Sequence, residues 1–129
     1  MIENEIVPNH IKVFVHACID SVEQLEVLAL LHDQPEKQWS INLLSLELRS
    51  TDRSVEKRLR DLSQRKVLEP IDSPTFKYSP VSEEVKTAVS ELVAIYRLRP
   101  FRIMDLLFTK PLNTMQSFAD AFRFKKEDS

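Results

Sequence analysis

Apolar residues recur at three- and four-residue intervals along most of this chain, and short polar or proline-bearing stretches interrupt them. Ile11, Phe14, Val15 and Cys18 form one such face, with Asn9 placed to cap it. The run Lys12-Val13-Phe14-Val15 fits a strand as well as a helix. Ser21 followed by Gln24 has the spacing of a capping box. Val22, Leu25, Leu28, Ala29 and His32 then line a second helix ending near Asp33, with a loop at Pro35. Ser40 caps a short, very apolar third element carrying Ile41, Leu43, Leu44, Leu46 and Leu48.

Ser50-Thr51-Asp52 reads as a turn and cap, opening a helix to about Arg65 with Val55, Leu59 and Leu62 inward. Two helices joined by so short a turn, the second more charged, make a helix-turn-helix arrangement. Val67-Leu68-Glu69 and Thr75-Phe76-Lys77-Tyr78 read as two short strands around a turn at Pro70–Pro74, a small wing. Ser79-Pro80 is expected to start a long helix, with Glu83 and Glu84 near its positive end. Val81, Val85, Ala88, Leu92 and Ile95 repeat in a 4,3,4,3 rhythm up to about Arg99, and Pro100 bends or breaks the helix. A further apolar helix covers 101–108, and Pro111 separates it from a last one with Met115, Phe118 and Phe122. Lys125–Ser129 reads as a solvated tail. The expected fold is mainly α: a winged helix-turn-helix over residues 1–80, made of a three-helix core and a small β-hairpin, with a helical extension over 81–129.

The charge distribution sharpens this picture. The formal net charge of −2 excludes a generally basic coat. Residues 1–48 hold two Lys or Arg against eight Asp or Glu, whereas residues 49–66 hold seven against three. The positive charge is therefore concentrated on the third core helix. At about 100° per residue, Arg53, Lys57, Arg60 and Gln64 fall opposite its apolar face, with Ser54, Arg58 and Arg65 on the flanks. Arginine and lysine donate to guanine edges and glutamine pairs with adenine, so this is chemistry suited to a major groove. Arg53, Ser54 and Lys57 near the helix start would reach the bases; Arg58, Arg60 and Arg65 would hold phosphates. Lys77 is the wing's single cation, against Glu69 and Asp72. The competing expectation is a solvated face, since Glu56 with Arg60 and Lys57 with Asp61 have the i,i+4 spacing of surface ion pairs.

The succession of a Trp39-Ser40 helix start, a Ser50–Arg65 helix, Val67-Leu68-Glu69 and Phe76-Lys77-Tyr78-Ser79-Pro80 resembles the bacterial winged-helix transcriptional regulators. Residues 21–80 carry that resemblance. Residues 21–28, Ser-Val-Glu-Gln-Leu-Glu-Val-Leu, and 118–123, Phe-Ala-Asp-Ala-Phe-Arg, look like segments of an uncharacterised bacterial family of this layout. The broader resemblance implies double-stranded DNA in the groove of the third helix, and frequently a dimer. The chain departs from it in its acidic wing and in having no glycine anywhere. Such proteins usually place glycine after the third helix, near Lys66 here, where left-handed backbone at another residue costs roughly 1 kcal/mol.

The long apolar stripe suits a helix-helix seam, within the chain or between two copies. Val85, Leu92, Ile95, Phe101, Met104 and Phe108 are the residues expected at a dimer interface. Arg97, Arg99 and Arg102 read as helix-end caps, with phosphate contact as the alternative. Phe118, Phe122 and Phe124 read as a docked terminal helix in preference to a membrane-surface one.

The remaining chemistry is sparse. Cys18 is the single cysteine, so a disulfide within the chain is excluded, and a reducing cytoplasm is expected. The acidic start at 1–5 lacks a signal-peptide pattern, and no apolar run approaches the ~20 residues of a membrane span. Without glycine there is no Walker or dinucleotide loop. His10, His16 and His32 lack ligand spacing, and no nucleophile elbow occurs. The chain is therefore expected to be neither an enzyme nor a metal or cofactor protein. Its expected function is a dimeric DNA-binding regulator; the alternative is a winged-helix module that binds another protein and not DNA.

Overall fold

Side-chain caps and buried stripes set six helices in the computed structural model, which describes residues 7–108. They are α1 (Asn9–Cys18), α2 (Val22–Asp33), α3 (Ile41–Leu48), α4 (Asp52–Gln64), α5 (Glu83–Leu98) and α6 (Pro100–Phe108). The described part is mainly helical. The helix expected around Met115 to Phe122, the Pro111 break, the tail and the first six residues lie outside the described residues.

The segment of the ambiguous Lys12–Val15 run is helical, within α1. Asn9 does not cap it: Pro8 holds the N-cap position with extended backbone, and Asn9 is the first helical residue. Ser21 does cap α2, accepting from the Gln24 backbone N–H at 3.1 Å. The Gln24 amide oxygen reaches one residue further back than a capping box requires and accepts from the Asp20 N–H at 2.5 Å. Neighbours on several sides bury Leu25, Val27, Leu28, Ala29 and Leu31, so α2 is the central helix and not a one-faced amphipathic one.

Ser40 caps α3 through the Leu43 N–H at 3.0 Å. This helix is apolar nearly all round, yet Leu46 stands exposed, because α2 and α4 cover only part of its circumference. Trp39, just before it, is fully buried. Its backbone exchanges two hydrogen bonds with Phe76, at 2.7 and 2.9 Å, and the Lys37 ammonium lies 4.2 Å from the centre of its ring.

The expected two-stranded wing is not formed among the described residues. In its place are two isolated antiparallel bridges, Trp39 with Phe76 and Leu68 with Pro80. The partner of 67–69 is 79–81, through Glu69 N–H to Ser79 O at 2.9 Å and Val81 N–H to Val67 O at 3.2 Å. Pro70, Pro74 and Pro80 supply no N–H, so the ladder cannot extend between these points.

α5 starts later than Ser79-Pro80 implies. Ser82 is its cap, accepting from the Val85 N–H at 3.1 Å, and Pro80 is held in the bridge. Its buried stripe is Val89, Leu92, Val93 and Tyr96, rotated from the expected one. Tyr96 donates its hydroxyl hydrogen bond to Glu26 on α2. Leu92, expected at a dimer seam, is 0% exposed inside the chain's own core, and Val85 and Ile95 pack half-buried against that core. The α5 stripe is thus consumed within one molecule. One hydrophobic core runs from Val7 to Ile103, so the boundary expected between residues 80 and 81 divides no packing unit.

Candidate nucleic-acid interface

The α3–α4 unit is built without the glycines that usually shape such corners. α3 ends at Arg49, whose φ of 56° and ψ of 45° are left-handed. Ser50 N–H bonds to Ser45 O at 2.8 Å and Arg49 N–H to Leu46 O at 3.2 Å, the paired bonds of a Schellman stop. α4 ends the same way at Lys66, with φ of 66°. There Val67 N–H bonds to Leu62 O at 2.9 Å and Lys66 N–H to Ser63 O at 3.0 Å. Lys66 is the position where the sequence places the missing glycine. Arg49 is a second one that it did not reveal.

Thr51 caps α4 through the Ser54 N–H at 3.1 Å. Asp52 locks the corner: its Oδ1 accepts from the Ser45 hydroxyl at 2.5 Å and from the Asn42 amide at 3.5 Å. Val55, Leu59 and Leu62 are buried as expected.

The flanks of α4 face inward to a degree that sequence reasoning missed. Glu23, in the first turn of α2, takes three donors from the α3–α4 unit. Its carboxylate accepts from the Ser50 hydroxyl, from the Ser54 hydroxyl at 2.5 Å and from Arg58 Nε at 2.8 Å. Burial pushes the Glu23 carboxyl up, but the hydrogen bonds from Ser50, Ser54 and Arg58, with the guanidinium charge, outweigh it and hold the pKa below the usual 4.5. Ser54 and Arg58, expected at DNA, are therefore engaged in fixing α4 to α2. Arg65 is likewise tied down, to Asp20 at 2.6 Å and to the Cys18 carbonyl at 3.3 Å. No local signal announces Glu23, since its donors lie 27 to 35 positions away.

The outward face of α4 presents Arg53, Lys57, Arg60 and Gln64, all exposed. Lys57 pairs with Asp61 at 3.0 Å and Arg60 with Glu56 at 3.3 Å, the two surface pairs that the spacing predicts. Arg53 has no side-chain partner among the described residues. Lys77 stands apart, paired with Glu36 at 3.3 Å. Four of the eight expected contact residues thus share one open surface, Ser54 and Arg58 serve the Glu23 clamp, Arg65 is held at Asp20, and Lys77 belongs to another edge.

Beyond α4, His32 sits at the junction of α2, α5 and Tyr78. Its ring is 3.1 Å from both Asp33 Oδ1 and Ser90 Oγ, and it meets the Tyr78 ring edge-on at 5.9 Å. Burial, and then the Arg97 charge, lower its pKa below 6.5. Burial raises the Tyr78 hydroxyl to about 12. Arg97 bonds Asp33, so it links α5 to the end of α2 rather than standing free. Among the described residues no three His, Cys, Asp or Glu side chains come together as metal ligands, and no helix is long and apolar enough to cross a membrane. No family model, curated protein or solved structure matches the chain.

Proposed function

We propose that this chain is a winged-helix-type DNA-binding protein of the transcriptional-regulator kind, which lays α4 in the major groove. The supporting observation is the exposure of Arg53, Lys57, Arg60 and Gln64 along one face of a helix whose other sides are anchored. At about 1.5 Å per residue that row runs ~17 Å, and a groove ~12 Å wide admits a helix. Arg53 and Lys57, nearest the helix start, address base edges; Arg60 and Gln64 lie further along the row. The two surface ion pairs do not close this face. Exposed i,i+4 pairs contribute only about 0.3–0.5 kcal/mol, less than one charge-assisted phosphate contact. The α2–α3–α4 arrangement followed by two bridges supports a reduced winged helix, in which the acidic 69–75 loop leaves DNA contact to α4. Such a reader works in the cytoplasm.

Fluorescence anisotropy of the full chain with mixed-sequence duplexes tests the proposal. The expected result is binding that weakens steeply as salt rises, and that Arg53→Ala and Lys57→Ala each reduce without loss of helical circular dichroism. Absence of binding at low salt, or affinity unchanged from the wild type in both variants, overturns it. The alternating signs of Lys57, Asp61, Arg60 and Glu56 favour a second reading, a module that docks a protein of mixed surface charge, and that reading is what such a negative result leaves.

A further inference from the structure

The last described helix leaves apolar surface uncovered. α6 faces α1 and α5, with Ile103 fully buried and Leu107 half-buried against the core. At about 100° per residue, Met104, Phe108 and Phe101 fall together on a different side of the helix. Phe101 is 81% and Phe108 76% exposed, and Met104 is half-buried. Leu98, just before α6, is 78% exposed. A shallow groove of about 450 Å³ is lined by the two phenylalanines and Met104, with Arg102 and Asp105. Large apolar side chains gathered this far out mark a surface built to be covered.

We infer that residues 113–124 of the same chain cover this patch, as an amphipathic helix laid antiparallel to α6. Position, pattern and tether select this segment. By position, residue 109 follows Phe108 directly, and Pro111 supplies no N–H with which α6 could continue. Residues 109–112 then form a connection of the ordinary length between packed helices, about 2–8 residues. By pattern, Asn113 and Gln116 have capping-box spacing. Met115, Phe118, Ala119 and Phe122 follow at i, i+3, i+4 and i+7, a single apolar stripe, with Phe124 on the opposite side. At about 1.5 Å per residue such a helix spans ~18 Å and α6 ~14 Å, so one covers the length of the other.

The tether decides between occupants. A segment joined to the patch by a short linker faces it at an effective concentration of about millimolar. A separate copy or another protein at micromolar concentration competes at a large disadvantage. Antiparallel packing sets Met115 beside Phe108 and Phe122 beside Phe101, so Phe101, Met104 and Phe108 serve the fold of one molecule and not the dimer seam expected of them. The cover is independent of DNA being bound.

Cross-linking of the full chain tests it. In a Cys18→Ser background, Leu98→Cys and Lys125→Cys place two thiols where this arrangement brings positions 98 and 125 together. They leave the phenylalanines of both faces intact. A short bismaleimide at micromolar protein is expected to give a linked monomer. Adding Phe118→Asp and Phe122→Asp, neither in the core that runs from Val7 to Ile103, is expected to lower that yield at least about tenfold while cooperative thermal unfolding is kept. The same two aspartate substitutions in the otherwise unchanged chain uncover the patch, so anilinonaphthalene sulfonate fluorescence is expected to rise severalfold over the wild type. A linked dimer as the main product overturns the inference in favour of a second copy. A yield unmoved by the aspartate substitutions, or a wild type that already binds the dye as strongly as the variant, overturns it too.

Discussion

Glu23 and Arg58 lie 35 positions apart, and their side chains meet at 2.8 Å with each about three-quarters buried. Around that contact Ser50 and Ser54 complete a clamp between α2 and the α3–α4 unit. Glu23→Ala strands three donors at once and is expected to cost about 1–3 kcal/mol in urea unfolding. Glu23→Gln keeps an acceptor and is expected to cost less. Equal stability of the wild type and the alanine variant would show that the clamp contributes nothing.

The same geometry separates two kinds of cation on α4. Arg58→Ala is expected to lower the thermal midpoint, because it leaves Glu23 short of its charged partner. Arg53→Ala and Lys57→Ala are expected to leave that midpoint within the range of ordinary surface changes, about ±0.5 kcal/mol. In DNA titrations Lys57→Ala is expected to weaken binding across the salt series and to relax sequence preference, as the loss of a base contact does. A thermal melt and a salt series on the three variants check this division; a stability loss at Arg53 matching that at Arg58 would erase it.

Both helix stops of the α3–α4 unit place a long cationic side chain on left-handed backbone. Arg49→Gly and Lys66→Gly remove that cost, roughly 1 kcal/mol each, less what glycine adds to the freedom of the unfolded chain. The expected gain is about 0.5 kcal/mol at each site, and the corresponding alanine variants are expected to gain nothing. Differential scanning calorimetry reads the contrast.

Acid should act in two stages. His32 has a folded pKa below 6.5, so the unfolded chain takes its proton more readily, and stability falls as pH drops below 6.5 towards the folded value. Glu23 has a folded pKa below 4.5, so its contribution is present above that value and is lost as pH falls through the folded pKa. Thermal midpoints across pH are expected to show both slopes. His32→Gln should flatten the upper one alone, and Glu23→Gln the lower one alone.

Much of this fold was legible where the information is local. Ser21, Ser40 and Thr51 declare their helix starts, and Val55, Leu59 and Leu62 declare the buried face of α4. The periodicity of α5 also announced a buried stripe, but not its rotation: Val89, Val93 and Tyr96 sit beside the expected residues and are chosen by contact with α2 and α1. Trp39 reads as a helix start because Ser40 follows it, whereas its role is set by Phe76, far along the chain. The outward cations of α4 could be read from the wheel. Their neighbours Ser54 and Arg58 could not be sorted from them, because the residue that turns them inward lies on another helix.

The prolines that stop the wing from pairing also decide what the molecule does not do. Thr75-Phe76-Lys77-Tyr78 is a β-prone run with two aromatic rings, lying between Pro74 and Pro80. A fibril grows by adding strands to an unbroken row of free N–H and C=O groups. Here Phe76 has spent its backbone on Trp39, and a proline bounds the run on each side. The run therefore offers too short a template for cross-β growth, so a segment of this composition can sit near the surface of a folded protein without seeding aggregates.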